Sequence, residues 1–239
     1  MENEFSRAEL LLGPEAMEKL AAARVAVFGI GGVGGYAVEA LARCGVGALD
    51  LVDSDRVNLT NINRQILALH STLGMYKTEA AALRVRDINP ACRVTVHNVF
   101  YLPETAGQFD FAQYDYVVDA IDTVSGKLQL VMAAREAGTP IICAMGAGNK
   151  LDPAAFRASD ISETSFCPLA RVLRKELKKR GVEHLRVVWS PEPPLVPRGE
   201  AGQPPEGRRS VPGSVSFVPP AAGLLLAAEV IKDLAGLRP

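Results

Sequence analysis

Short apolar runs alternating with helical stretches predict an α/β fold: a doubly wound, mainly parallel sheet with a mixed C-terminal extension and a terminal helix. Two observations carry that expectation. Residues 25–28 (Val-Ala-Val-Phe) are short and apolar, as a strand buried on both faces should be, and Gly29, Gly31, Gly32 and Gly34 follow at once. Behind the glycines Val33, Ala37, Val38 and Leu41 recur at helical spacing, and strand and helix signals then alternate to residue 144.

The elements follow in order. Residues 5–12 read as a short helix, broken by Gly13-Pro14, and 15–22 as a second. The first strand and glycine turn lead into a helix over 33–43, stopped by Cys44-Gly45-Val46-Gly47. A second strand covers 48–52. Residues 58–69 are polar, then mixed, and predict a loop with one short helical turn. A helix over 77–86 ends at Asn89-Pro90. Strands over 93–99 and 116–120, a helix over 124–137 and a fifth strand over 141–144 complete a Rossmann-like nucleotide-binding core, 24–150, behind the N-terminal helices of 1–23. The extension, 151–239, holds an antiparallel strand candidate at 156–162, a basic helix over 168–180 and a strand at 186–189. A Pro- and Gly-rich loop at about 190–215, expected to be mobile, carries Arg208 and Arg209, and the last helix runs from Pro219-Pro220 to about 235. The whole chain is expected to form a single domain.

Composition narrows the partners. Among 239 residues, 26 Lys and Arg against 27 Asp and Glu leave a net charge of −1, so a polyanion would need a local basic patch. The apolar run 221–231 is shorter than the roughly 20 residues a membrane span needs, which leaves it as a core helix, an interface helix or a peripheral membrane contact. Four cysteines, none in a Cys-x-x-Cys pair, omit the usual structural zinc spacing and suit a reducing, cytoplasmic setting.

A strand turning tightly into a helix leaves free amide N–H groups, which form an anion site. Gly29 permits the turn, Gly31 admits a phosphate and Gly34 lets the helix pack on the sheet. Asp53, at the end of the second strand, is placed to take a ribose hydroxyl. NAD is the default ligand of such a pattern. Three further stretches point to a triphosphate. Arg64 stands among amides in Asn61-Ile-Asn63-Arg64-Gln65, after Asp53-Ser-Asp55 and Asn58; it can donate in bidentate fashion to phosphate oxygens, where the bland alternative is a solvated charge. Lys77 in Gly74-Met-Tyr-Lys77 has the wrong sign for a helix start, a misfit that an anion would relieve. Asp122, in Asp119-Ala-Ile-Asp122 at the carboxyl end of the fourth strand, suits Mg²⁺ on phosphates or a helix cap, and Asp119 reads as structural.

These motifs together resemble the ubiquitin-activating-enzyme superfamily, the adenylating enzymes of the ThiF and MoeB type. Asn63-Arg64-Gln65-Ile66, residues 84–90, Gly146-Ala147-Gly148, Asp152-Pro153, residues 167–171 and residues 216–220 are similar, within it, to the tRNA threonylcarbamoyladenosine dehydratases. The resemblance implies a site for ATP and Mg²⁺ built from Gly29, Gly31, Gly32, Gly34, Asp53, Asp55, Asn61, Arg64, Gln65, Lys77 and Asp122. Arg64, Lys77 and Mg²⁺ on Asp122 would stabilise charge, and Arg7 would act across a homodimer interface. It implies adenylation of a carboxylate on a modified tRNA base, followed by ring closure. Adenylation of a sulfur-carrier protein, an NAD-dependent oxidoreductase and a non-catalytic nucleotide scaffold are the competing readings. Cys167 matches the place of a second-half cysteine in related enzymes, which would suit a nucleophile or a sulfur-transfer partner; its bland reading is a reduced thiol at a helix start. Arg171, Arg174, Lys175, Lys178, Lys179 and Arg180 on one helix, with Arg208 and Arg209 on the loop, form a basic cluster suited to tRNA, against the plain alternative of a solvated helix face.

Overall fold

The computed structural model describes residues 3–199 and 211–237. Five strands, β1 (Arg24–Phe28), β2 (Ala48–Val52), β3 (Arg93–His97), β4 (Tyr116–Asp119) and β5 (Ile141–Ala144), pair in parallel. β6 (Arg157–Asp160) runs antiparallel to β7 (Arg186–Trp189), which is parallel to β5. The sheet order is β3-β2-β1-β4-β5-β7-β6, so the chain reverses its winding between β1 and β4. β3 stops at His97, short of the expected 99, and Asn98 turns to meet the Thr78 hydroxyl.

Seven helices cover this frame: α1 (Ser6–Leu12), α2 (Pro14–Ala22), α3 (Gly34–Arg43), α4 (Lys77–Ile88), α5 (Val124–Ala137), α6 (Pro168–Lys179) and α7 (Val218–Leu234). On one face α2, α3, α4 and α7 bury Leu20, Leu41, Val85 and Leu226 against Val25, Val27, Leu49 and Leu51. On the other, α5 and α6 bury Leu128, Leu173 and Leu177, and Phe28 packs edge-on against Tyr101 and Phe109. Each such side chain contributes about 1.5–3 kcal/mol of apolar burial.

The apolar run 221–231 is a core helix. Ala222, Leu226, Ala227, Val230 and Ile231 are buried, and a Cβ on Gly223 would collide with the Val33 carbonyl at the start of α3. That glycine lets the last helix cross close behind the turn after β1. Residues 58–69 hold one 3-10 turn, Leu59–Asn61, as the sequence predicts, and a second, His70–Thr72, follows just beyond them. In the segment expected to be a mobile loop, the described parts are tied down: Leu195 N–H donates to Asn149 O (2.8 Å) and Asn149 N–H to Gly213 O (2.8 Å). Arg208 and Arg209 lie outside the described residues.

Candidate active site

Open sheets bind ligands past the carboxyl ends of their strands, where the winding reverses. The glycine turn lies there, between β1 and α3. Gly29 has a φ of +88° and donates its N–H to Val52 O (2.8 Å); a Cβ on it would lie 2.7 Å from the Ala120 carbonyl carbon. A Cβ on Gly34 would collide with Gly29 O, so the turn closes only on glycine at both positions. Gly31 is different: its nearest neighbour there is Gln65 Nε2 at 3.9 Å, which leaves the backbone open to a ligand. The N–H groups of Gly31, Gly32 and Val33 find no acceptor among the described residues.

Asp53 pins this turn from β2. Its oxygens accept from Ile30 N–H (2.7 Å) and Asp55 N–H (2.8 Å). Burial pushes its carboxyl above the ordinary value, against the pull of Lys77 and the two N–H groups. Two of about four acceptor positions are thus used, which leaves room for a ribose hydroxyl. Lys77, first residue of α4, is 6% exposed, and its Nζ lies 2.6 Å from Asp55 and 4.0 Å from Asp53. Its misfit at a helix start is therefore answered by the protein's own carboxylates and does not by itself ask for a ligand.

The turn carrying Arg64 is built by Asn58 and Asn61, which cap it reciprocally through side chain and backbone. Gln65 is buried, and its Oε1 has no hydrogen-bond partner among the described residues. Arg64 is half-buried, its stem against the glycine turn: a Cβ on Gly32 would lie 3.5 Å from Arg64 Cγ and 3.1 Å from Pro219 Cβ. Its Nη1 donates to Thr60 O and Asn63 Oδ1, both 2.9 Å, and no carboxylate among the described residues pairs with it. Burial alone pushes its guanidinium below the ordinary value.

Asp122 is exposed just beyond β4. It does not cap α5, whose N-cap is Thr123. Asp119 is wholly buried and structural as expected, with a partner the sequence did not suggest: Lys127 Nζ, also wholly buried, lies 2.9 Å from Asp119 and donates to Ala144 O at 2.8 Å. Asp119 also accepts from Ile121 N–H (3.2 Å), so the pair fixes the turn that presents Asp122. Lys127 sits eight residues past Asp119, and a lysine on a helix reads as solvent-facing unless its neighbours are known to turn inward.

Three sequence-predicted groups lie elsewhere. Arg7 is exposed on α1, and Phe5 nearby packs against Gly45 before β2, at the opposite, amino-terminal edge of the sheet. Within one chain Arg7 does not reach the cleft. Cys167 is 6% exposed at the N-cap of α6, and a Cβ on Gly146 would be 3.7 Å from its Sγ. Burial pushes the thiols of Cys44, Cys92 (to about 11) and Cys143 up, as inert core cysteines should be. On α6 the basic residues divide. Arg174 is turned inward to Thr164 O (2.7 Å), while Lys179 and Arg180 pair with Glu176 at 2.6 and 2.9 Å. Arg171, Lys175 and Lys178 are exposed and have no carboxylate partner among the described residues.

The ThiF family model matches residues 5–239. The chain belongs to the ThiF family. The tRNA threonylcarbamoyladenosine dehydratase of Bacillus subtilis is 44% identical over 242 residues, 98% of this chain and 95% of the relative. The Escherichia coli enzyme of that name is 44% identical over 174 residues, 73% of this chain and 65% of the relative. The crystal structure of E. coli tRNA N6-threonylcarbamoyladenosine dehydratase, TcdA, in complex with ATP matches with a TM-score of 0.88 at 36% identity, over 98% of this chain and 94% of that one. A complex of TcdA with AMP matches equally well. E. coli MccB with ATP, at 19% identity and a TM-score of 0.69, shares the ThiF-family fold.

Proposed function

We propose that this chain is an enzyme that uses ATP to dehydrate and cyclise threonylcarbamoyladenosine in tRNA. The observation that carries the ATP site is Arg64: a half-buried guanidinium with no carboxylate among the described residues, set against a glycine turn whose N–H groups at 31–33 likewise have no acceptor among them. Burying a charge without a partner is costly, and a triphosphate supplies the missing one. The B. subtilis relative, similar along its whole length, names the reaction.

The chemistry follows from the groups present. A carboxylate is a poor electrophile because its leaving group would be oxide. Its oxygen attacks the α-phosphorus of ATP, the bond to pyrophosphate breaks, and an acyl-adenylate forms. A nucleophile of the same modified base then attacks the acyl carbon, gives up its proton and expels AMP. Ring closure is intramolecular, so holding the base supplies much of the acceleration. Asp53 holds the ribose, the N–H groups of 31–33 and Arg64 take phosphate oxygens, and Lys77 spends one of three donors on Asp55 and has others for phosphate. Asp122 is the carboxylate offered to Mg²⁺, which when bound neutralises phosphate charge. Mg²⁺ takes one or two carboxylates plus phosphate oxygens, and among the described residues no group of three or more His, Cys, Asp or Glu could hold an ion alone.

Arg7 reaches a cleft only from a second copy. α1 buries none of its residues and exposes Leu10 and Leu11 at 86% and 87%, which supports a homodimer that covers it. A sulfur-transfer partner meets no exposed thiol at Cys167, and Cys167→Ser is expected to retain most turnover; total loss would give the thiol a chemical role. No described helix is long and apolar enough to cross a membrane. A tRNA substrate supports a cytoplasmic reaction.

The test is mass spectrometry of tRNA nucleosides after incubation with enzyme, ATP and Mg²⁺. Loss of one water from threonylcarbamoyladenosine is the expected result. Unchanged nucleoside, with pyrophosphate exchange that depends on a carrier protein, would replace this function by sulfur-carrier activation.

A further inference from the structure

Arg64 is held by a residue that has a second obligation. Asn63 Oδ1 accepts from Arg64 Nη1 (2.9 Å), while Asn63 Nδ2 donates to Ser214 O (3.0 Å), a residue 151 positions later. The carbonyl of Ser214 can only accept, so it fixes which end of the amide turns to the guanidinium. With Nη1 spent on Asn63 and Thr60, Arg64 Nη2 and Nε have no acceptor among the described residues.

Ser214 is itself anchored. Its neighbour Gly213 donates to Asn149 Oδ1 (2.6 Å) and accepts from Asn149 N–H (2.8 Å), and Asn149 O accepts from Leu195 N–H (2.8 Å). One residue therefore clamps both described arms of the segment between β7 and α7. Asn149 does so at a φ of +58°, a left-handed conformation that costs energy in any residue but glycine and that Asn tolerates best. Beside it Glu192 accepts from Leu151 and Asp152 N–H at 2.9 and 3.1 Å, and Lys150 Nζ donates to Glu192 O. A hydrogen-bonded path thus runs from the two arms through Asn149 and Ser214 to Asn63 and Arg64.

We infer that Asn63 is a positioning residue for Arg64, and that Asn149 sets its angle by holding the Gly213–Ser214 backbone. ATP affinity is then coupled to how the two arms are held, which gives whatever lies on those arms a hand on the phosphate site. The inference rests on the proposal that Arg64 meets the ATP phosphates.

The experiment is calorimetric titration of ATP and of AMP into the full chain as wild type, Asn63→Ala, Asn149→Gly and the double variant, with Arg64→Ala as reference. Asn149→Gly relieves the left-handed strain and keeps the two backbone bonds, so it removes only the side-chain clamp. Asn63→Ala is expected to raise the Kd for ATP about three- to tenfold, the loss expected of one ordinary intramolecular hydrogen bond. The Kd for AMP, which lacks the β- and γ-phosphates, stays within about twofold, whereas general damage would move both. Asn149→Gly raises the ATP Kd by a smaller factor, and the double variant is no weaker than Asn63→Ala, because the two act along one path. Independent factors that multiply, or an Asn63→Ala value equal to wild type, overturn the inference. Asn63→Asp, which has no donor for Ser214 and sets a competing carboxylate on Arg64, is the second variant should Asn63→Ala fail to fold; on both counts it weakens ATP, and unchanged affinity overturns the proposal. An ATP affinity indifferent to Arg64→Ala would instead sink the reading of the site.

Discussion

Lys127 and Arg64 are two cations taken from water at the same edge of the sheet, and they are treated in opposite ways. At the β4–α5 corner Lys127 is wholly buried, yet its ammonium has a carboxylate at 2.9 Å and a backbone carbonyl at 2.8 Å. In the turn after β2 Arg64 is only half-buried, but its two acceptors, Thr60 O and Asn63 Oδ1, are neutral. A compensated cation belongs to the fold; an uncompensated one beside open N–H groups suits an anion from outside, as proposed for Arg64. Lys77, held between Asp55 and Asp53, stands between the two cases.

The largest expected effect tests the compensated member. Lys127→Met leaves Asp119 buried without its counter-charge and should cost about 3–5 kcal/mol in urea unfolding. Adding Asp119→Asn should return part of that loss, since no bare charge then remains. A loss under about 1 kcal/mol for Lys127→Met alone would break the contrast.

The two members were unequally legible. Arg64 stood out because an arginine among Asn and Gln is an unusual setting that a solvated charge does not require, and four glycines with an aspartate after the next strand predict a phosphate turn by type and spacing. Strands were equally plain: β2, β5 and β7 lie where their short, largely apolar runs predict them. Lys127 was not legible, because pairing Asp119 with a lysine in the second turn of α5 requires knowing that both point under the same corner. Gly223 was hidden within an Ala- and Leu-rich run whose need for a small residue appears only when α7 crosses α3. Asn149 shows no local sign of its clamp, since its partners come from residues 195 and 213. What escaped is long-range pairing; what could be read is local periodicity and residue type.

The second prediction tests the uncompensated member. Arg64→Ala removes no ion pair, so unfolding free energy should change by no more than about 0.5 kcal/mol. ATP-dependent turnover should fall roughly 10²- to 10³-fold, as for loss of one donor at developing charge. Arg64→Lys should recover little, because a point charge cannot reproduce a bidentate fork. A stability loss comparable to that of Lys127→Met, with turnover retained, would move Arg64 into the structural class.

The smallest effect carries the same contrast onto a single helix. On α6, Glu176 is held down at about 2 by Lys179 and Arg180, so both of those cations share a carboxylate, whereas Lys175 and Lys178 project without a carboxylate among the described residues. If unpaired cations mark the binding surface here as in the cleft, Lys175→Glu with Lys178→Glu should weaken tRNA binding at fixed salt. The slope of log K against log salt should become shallower by roughly 0.7–0.9 for each phosphate that is no longer neutralised. Lys179→Glu with Arg180→Glu changes formal charge by the same amount but attacks pairs already closed, and should move affinity and slope less. The two pairs lie on one helix one turn apart, so the expected difference isolates compensation from location. Equal weakening by both would mean that tRNA responds to the summed field of α6 and not to individual free cations, and the contrast drawn in the cleft would then not extend to the surface.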